Sequence, residues 1–264
     1  MGRKAKRELS AKELRIRKKK RRRRLLIAEG VILVLLVAVL FVWLKVGMIS
    51  FEELDTQTND LDEETQKVME EYITVAIFGV DNRSNGNYDS GNSDSIMIAN
   101  IDNNTGEIKI VSVYRDTCMD VDGDDTLRKC NYAYNHGGAE EAVNMLNRNL
   151  DLDIDGYVAV DFYALVGAID ALGGVEIELT SQEARIMNQS YIDLTADIVG
   201  KKSSHVTAGV HNLDGVQAVS YCRVRYTAGG DFERAQRQRE VLSKMAEKLK
   251  TASVSQLLDL IDEV

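Results

Sequence analysis

One apolar segment near the N-terminus is much longer than any other in the chain. Residues 25–44 contain a single charge, Glu29, and Lys45 follows them directly. Because a helix rises about 1.5 Å per residue, a segment of this length just crosses a hydrocarbon core of about 30 Å. Glu29 lies one turn from the start, and Lys45 can extend to the headgroups on the far side. The pattern predicts one transmembrane helix at residues 25–48.

The remaining apolar segments are short and alternate between strand and helix patterns. Residues 73–80 form a nearly unbroken apolar run, which is typical of a strand buried on both faces. The turn sequence Asn103-Asn104-Thr105-Gly106 predicts a hairpin. The predicted strands are residues 73–80, 95–101, 107–113, 157–160 and 175–179, and the predicted helices are residues 139–150, 162–172 and 231–250. This alternation indicates a layered α/β domain.

The last predicted helix carries a mixed polar and apolar stripe. With Asp231 as the expected N-cap, Arg234, Gln238, Val241 and Met245 fall on one narrow face at 100° per residue. An arginine in line with core positions needs a partner, because burying an unpaired charge is costly. We therefore expect an anionic group close to Arg234.

Charge is divided sharply along the chain. Residues 1–24 contain 14 lysines and arginines against two glutamates, whereas the whole chain has a net charge of −9. A basic tail beside a span is held in the cytoplasm, so residues 72–264 are expected to form an extracytoplasmic domain on an acidic stalk, residues 49–71. A cleaved signal peptide would have a shorter basic region and an A-x-A site. Nucleic acid is not an expected partner, because the basic tail adjoins the span and the large domain is acidic.

Several motif classes are absent from the sequence. Cys118, Cys130 and Cys222 are an odd number, and their spacing leaves a disulfide between Cys118 and Cys130 open. The three histidines are too scattered to suggest zinc. There is also no G-x-S-x-G elbow, Walker A motif or dinucleotide fingerprint. Serine hydrolases and nucleotide-binding enzymes are therefore not favoured.

Charged residues stand where predicted strands begin or end. Asp81 and Arg83 follow the first strand, Asp94 precedes the second, and Arg115 follows the third. In open α/β sheets, ligands bind outside the carboxyl ends of strands. Mg²⁺ typically binds through one or two carboxylates plus substrate phosphates, so Asp81 and Asp94 are candidate ligands. Taken singly, each carboxylate is equally consistent with a loop cap.

A further pair of arginines, Arg223 and Arg225, precedes the last predicted helix. If residues 222–225 are extended, both side chains point to the same side. Two neighbouring guanidinium groups suit a phosphate or pyrophosphate, because each donates two parallel hydrogen bonds. Alone, this pattern is more often a solvated strand edge.

A series of short motifs follows the membrane anchor between residue 73 and about residue 250. The first are Gly79-Val80-Asp81-Asn82-Arg83, Ser93-Asp94-Ser95-Ile96-Met97, Tyr114-Arg115-Asp116-Thr117 and Lys129-Cys130-Asn131-Tyr132-Ala133-Tyr134. The next are Val160-Asp161-Phe162, Asp170-Ala171-Leu172-Gly173-Gly174-Val175, Leu213-Asp214-Gly215 and Gln217-Ala218. The last are Tyr221-Cys222-Arg223-Val224-Arg225 and Asp231-Phe232-Glu233-Arg234-Ala235-Gln236-Arg237-Gln238. In this order, the complete set resembles the LytR-CpsA-Psr family.

The resemblance implies a membrane-anchored phosphotransferase with a mixed central sheet between helical layers and an apolar pocket for a lipid tail. Its substrates would be a glycopolymer on a polyprenyl-pyrophosphate carrier and a peptidoglycan hydroxyl, and its cofactor Mg²⁺. The implied metal ligands are Asp81 and Asp94, and the implied catalytic residues are Asp81, Arg83, Arg115 and Arg225. The implied pyrophosphate-binding residues are Arg83, Arg115, Arg223, Arg225, Arg234 and Gln238.

The sequence departs from the family pattern in a few places. Tyr114 stands where the family usually has proline, Ser95 where it often has threonine, and family domains usually run some tens of residues beyond Val264. Two other functions stay open. One is a pyrophosphate hydrolase acting on the same lipid substrate, and the other is a non-enzymatic envelope regulator or lipid-binding protein.

Overall fold

The computed structural model describes residues 54–81, 91–225 and 230–263. The predicted basic tail and transmembrane helix, the start of the predicted stalk and Arg83 lie outside these ranges. Within them, none of the helices has the length and apolar character that crossing a bilayer requires.

Strands and helices alternate along the described chain. The strands are β1 (Tyr72–Val80), β2 (Ser93–Asp102), β3 (Ile108–Val113), β4 (Cys118–Asp120), β5 (Leu127–Lys129), β6 (Gly156–Val160), β7 (Val175–Leu179) and β8 (Gly209–Leu213). The helices are α1 (Glu63–Met69), α2 (Asn131–Leu150), α3 (Phe162–Ala171), α4 (Ser181–Ile186), α5 (Ile192–Val199), α6 (Gly215–Arg223), α7 (Gly230–Leu249) and α8 (Val254–Glu263). A π-helical turn, Met187–Tyr191, lies between α4 and α5.

The central sheet has the strand order β3-β2-β1-β6. β1 is antiparallel to β2 and parallel to β6, and β2 is antiparallel to β3. The predicted mixed α/β sheet is therefore confirmed. Side chains alternate between the faces of β1, so Phe78 is buried on one face while Ile77, opposite Met97 and Val158, lies on the other.

Helix α2 covers the Phe78 face of the sheet. Phe78 packs against Tyr134 with ring centroids 5.4 Å apart, and both are fully buried. Gly137 and Gly138 have non-helical backbone angles, so the regular part of α2 begins at Ala139, as the sequence predicts.

A second core covers the Ile77 face and contains α3, α4, α5, α6, α7 and the β7–β8 hairpin. Asp161 caps α3 by accepting a hydrogen bond from the Ala164 N–H, and Asp214 caps α6 in a capping box with Gln217. At Gly215 the backbone of α6 lies so close to α3 that an added Cβ would be 2.2 Å from the Val166 carbonyl oxygen. The close approach at Gly215 sets the position of α6 against α3, and α7 packs on α6.

Two local expectations were wrong. Arg223 is the last residue of α6, so residues 222–225 are not extended, and Arg223 and Arg225 do not stand side by side on a strand. Helix α7 begins at Gly230, which puts Asp231 in its first turn rather than at the N-cap. Residues 222–225 have the apolar–polar alternation of a strand. They are helical up to Arg223 because the helix that begins after the Asp214 cap continues through Cys222, which is buried.

The predicted acidic stalk is attached to the domain over its described part. The Gln57 N–H donates to Asn144 Oδ1 over 2.7 Å, and Asn59 Nδ2 donates to Asp151 Oδ1 over 2.7 Å. Leu54 packs against the core beneath α2. Residues 54–59 therefore follow the surface of the domain.

Candidate active site

The end of β1 and the start of β2 bring two carboxylates to one edge of the sheet. Val80 is the register partner of Ser93, so Asp81 follows β1 where Asp94 enters β2. The Asp81 N–H donates to the Asn92 carbonyl over 3.2 Å, which ties the two segments together. Asp81 and Asp94 line the same cavity.

Three arginines from distant parts of the chain meet at Asp94. Arg115 Nη1 donates to Asp94 Oδ1 over 2.8 Å, and Arg225 Nη2 lies 3.8 Å from Asp94 Oδ2. Arg234 Nη2 is 3.4 Å from the Asp94 carbonyl oxygen. Asp231 lies beside the same group, 3.3 Å from Arg234 and 3.8 Å from Arg225. The structure thus brings three guanidinium groups together with two carboxylates at the strand ends.

The pKa of Arg115 is raised by its surroundings, whereas the pKa of Arg234 is lowered. Burial alone would lower the pKa of Arg115, but its hydrogen bond to Asp94 and the charges of Asp116 and Asp231 raise it overall. For Arg234, burial and the neighbouring Arg225 lower the pKa despite the attraction of Asp231. Arg234 Nε is buried and has no hydrogen-bond partner among the described residues. A bound anion would satisfy this donor and offset the repulsion.

The stripe on α7 faces this cluster. Gln238 Oε1 accepts a hydrogen bond from Ser95 Oγ over 3.1 Å, and both residues line the cavity with Arg234. Val241 is fully buried one turn further along. The expected anionic neighbour of Arg234 is Asp231, and the backbone carbonyl of Asp94 is an additional, uncharged acceptor.

Arg223 has a different set of contacts from the other arginines. Its Nη1 donates to Thr195 Oγ1 over 2.9 Å, and its guanidinium group lies 4.8 Å from the ring centroid of Phe162 and 5.4 Å from that of Tyr191. It still lines the cavity, at the wall formed by these rings.

The cavity is polar at one end and apolar over most of its lining, with a volume of about 280 Å³. The polar end is formed by Asp81, Asp94, Ser95, Arg223, Arg225, Arg234 and Gln238. The sheet contributes Ile77, Met97 and Val160, and the helices and the π-helical turn contribute Phe162, Leu165, Tyr191, Val219, Val241 and Leu242. This arrangement suits a ligand with a charged head and an oily tail.

A second cavity of about 300 Å³ shares Asp94, Ser95, Arg234 and Gln238 with the first. Its remaining wall comes from the turn after β3, which carries Arg115, and from the start of α7. The described site residues therefore form one cluster: Asp81, Asp94, Arg115, Arg223, Arg225, Arg234 and Gln238. Arg83 lies outside the described residues.

Two features of the site were not predicted from the sequence: the aromatic wall and the buried hydrogen bonds of Arg237. Tyr191 belongs to the π-helical turn, an element frequent at functional sites that no simple periodicity reveals. Arg237 is buried and donates to Glu183 over 2.8 Å and to the Val224 carbonyl over 3.1 Å, which holds the backbone next to Arg225. The narrow stripe predicted on α7 contains Arg234 but not Arg237, which lies about 60° away around the helix at 100° per residue.

No group of three or more His, Cys, Asp or Glu side chains is arranged to hold a metal ion in the part of the chain that the structure describes. Any Mg²⁺ at this edge would therefore need oxygen ligands beyond Asp81 and Asp94, and phosphate oxygens of a substrate are suitable.

Comparison with known proteins gives consistent matches. A family profile described as the LytR_cpsA_psr family matches residues 41–264. The polyisoprenyl-teichoic acid–peptidoglycan teichoic acid transferase TagU of Enterococcus faecalis is 31% identical over 242 residues, which cover 89% of this chain and 74% of that protein. The corresponding transferase TagV of Bacillus subtilis is 31% identical over 176 residues, 66% of this chain but only 43% of TagV.

A solved structure described as the LytR-CPS2A-psr family protein YwtF (TagT) with bound octaprenyl pyrophosphate lipid has a similar fold. The TM-score is 0.55 with 23% identity, and the match covers 80% of this chain and 78% of TagT. At this identity the likeness concerns the fold alone.

Proposed function

Because this chain belongs to the LytR_cpsA_psr family, we propose that it transfers a glycopolymer from a polyprenyl-pyrophosphate carrier to a hydroxyl group of peptidoglycan. The observation that carries the proposal is the convergence of Arg115, Arg225 and Arg234 on Asp94 at the polar end of a mainly apolar cavity. The names of TagU and TagV support the substrate class.

In this proposal the cavity holds both parts of the carrier. The pyrophosphate lies among Arg225, Arg234 and Gln238, where it can accept a hydrogen bond from Arg234 Nε, which has no partner among the described residues. The polyprenyl chain lies on the apolar wall, between the sheet and α7. Arg223, on the aromatic wall, would contact the phosphate nearer the lipid.

The proposed reaction is a displacement at the phosphorus that carries the sugar. An acceptor hydroxyl oxygen forms the new P–O bond, the P–O bond to the second phosphate breaks, and polyprenyl phosphate leaves with the bonding electrons. The proton of the hydroxyl is lost to a base. Arginines that are already positioned stabilise the charge that develops on the leaving phosphate without reorganising.

We propose Mg²⁺ as the cofactor, held by Asp81 and Asp94 together with phosphate oxygens. The donor chemistry fits, because two carboxylates line one cavity and Mg²⁺ usually retains few protein ligands. When bound, the ion would neutralise pyrophosphate charge. Asp94 would orient the ion, because the hydrogen bond from Arg115 already holds the Asp94 carboxylate in place.

In the proposed topology, the reaction takes place at the outer face of the cytoplasmic membrane. Residues 1–24 form the cytoplasmic tail, 25–48 the signal anchor, and 72–264 the catalytic domain, with 49–71 between them. The basic tail and the long apolar run of residues 25–44 support this arrangement.

The test uses the full chain in detergent with a polyprenyl-pyrophosphate-linked saccharide, with and without peptidoglycan. We expect Mg²⁺-dependent release of polyprenyl phosphate and incorporation of the saccharide into peptidoglycan. Arg225→Ala and Asp81→Ala should reduce both, whereas Arg185→Ala, on an exposed surface of α4, should not. If both site variants process donor as well as the unmodified protein, the proposal is wrong. Release without incorporation would identify a hydrolase instead.

A further inference from the structure

The second cavity carries features that the pyrophosphate does not require. Tyr114 and Phe232 line it, with ring centroids 4.6 Å apart and planes at 66°. Phe232 is 67% exposed and Tyr114 is 37% exposed. Both rings thus retain apolar surface in contact with solvent.

Polar groups surround this aromatic pair. The cavity is also lined by the carboxylates of Asp116 and Asp231 and by the hydroxyl of Thr117. Aromatic rings can pack against the C–H faces of a sugar, while carboxylates and hydroxyls bind its hydroxyl groups. A volume of about 300 Å³ lies at the lower end of the range of small-molecule sites, roughly 300–1,000 Å³. The chemistry and size suit a sugar ring.

The position of this cavity indicates which sugar it binds. The first cavity holds the lipid leaving group in the proposed function, and the two cavities meet at Asp94, Ser95, Arg234 and Gln238. In phosphoryl transfer the attacking and leaving oxygens lie roughly in line on opposite sides of phosphorus. An attacking hydroxyl therefore approaches from the side away from the lipid, where the second cavity lies.

We propose that the second cavity is the acceptor subsite, in which Tyr114 and Phe232 bind a sugar ring of the peptidoglycan glycan strand. This inference rests on the proposed transfer function for the direction of attack. Arg115 lines the second cavity and contacts Asp116 at 3.5 Å and Asp94, which lines both cavities, at 2.8 Å, so it links acceptor position to the pyrophosphate.

The test compares Tyr114→Ala and Phe232→Ala with Tyr132→Ala in the full chain in detergent. Tyr132 is a matched control, because it is also 37% exposed and stacks on a ring, His136, but lines neither cavity. Three quantities are measured: the Kd of a purified peptidoglycan tetrasaccharide, the KM for this tetrasaccharide in the transfer reaction, and the KM for the lipid-linked donor.

We expect each cavity variant to raise the tetrasaccharide Kd and acceptor KM about tenfold, with an unchanged donor KM, and Tyr114→Phe to restore binding. A rise in donor KM instead would assign the cavity to the donor's own sugars and overturn the proposal, as would tetrasaccharide binding that none of the variants alters. Binding that depends on Tyr114 in a chain without transfer activity would leave the subsite standing while the proposed function fails.

Discussion

Arg115 and Asp94 are joined by a 2.8 Å hydrogen bond between Nη1 and Oδ1, so one carboxylate both holds a guanidinium group and faces the cavity. Asp94 is the common neighbour of arginines from three segments of the chain. Its negative charge offsets the repulsion between them when no anionic ligand is bound.

The first prediction concerns this carboxylate. Asp94→Asn retains the shape of the side chain but removes its charge. We expect the Mg²⁺ concentration for half-maximal transfer to rise by roughly tenfold or more, because ligand charge sets cation affinity. Initial rates measured over a Mg²⁺ titration test this. Asp193→Asn, at an exposed carboxylate outside both cavities, should leave the titration unchanged. An identical titration for Asp94→Asn would remove Asp94 from the metal site.

The second prediction concerns Arg234, whose pKa is lowered by burial and by Arg225. Arg234→Met keeps the length of the side chain without the charge, so the unliganded variant should be at least as stable as the unmodified protein. Inorganic pyrophosphate at about 100 times its Kd should stabilise the unmodified protein by about 2.7 kcal/mol. This stabilisation should be lost in Arg234→Met.

Thermal unfolding with and without pyrophosphate measures both effects. Arg185→Met, at an exposed arginine on α4, controls for general charge loss and should respond to pyrophosphate like the unmodified protein. Equal stabilisation of Arg234→Met would contradict a role for Arg234 in anion binding.

The elements with strong local signals were predictable. The predicted strand at residues 175–179 has the same bounds as β7, because Gly173 and Gly174, with φ values of 76° and 85°, end the preceding helix. Arg234 was predictable as a buried cation because helix periodicity places it in line with Val241. In each case the signal lies within one element and does not depend on tertiary structure.

The rest depends on contacts between distant segments. The residues Tyr221–Arg225 alternate like a strand, yet a helix continues to Arg223 because Tyr221 and Cys222 are buried against the second core. The pairing of Arg115 with Asp94 joins the end of β3 to the start of β2. The predicted hairpin brings these two strand ends together, whereas no local pattern predicts that Arg225 and Arg234, from far along the chain, approach the same residue.

The third prediction concerns acid stability. Burial would raise the pKa of Glu183, but hydrogen bonds from Arg237 and Thr180 lower it below the ordinary value of 4.5. The ionised Glu183 carboxylate therefore stabilises the folded state above pH 4.5, and this stabilisation is lost as the pH falls through the folded-state pKa. We expect Glu183→Gln to flatten the acid side of a plot of unfolding free energy against pH. Glu178→Gln, on an exposed strand position, should retain the slope. An unchanged acid slope in Glu183→Gln would show that this pair does not govern acid stability.

The last prediction concerns the contact that sets α6 above the sheet. A Cβ on Gly215 would lie 2.2 Å from the Val166 carbonyl oxygen, and backbone cannot yield like a flexible side chain. We expect Gly215→Ala to lower the free energy of unfolding by about 1–3 kcal/mol. Gly156→Ala is the matched control, because its Cβ would meet nothing within 4 Å. Urea unfolding compares the two. If Gly215→Ala is as stable as Gly156→Ala, α3 and α6 can move apart without cost. Their contact would then not fix the position of α6 or of Arg225, which follows it.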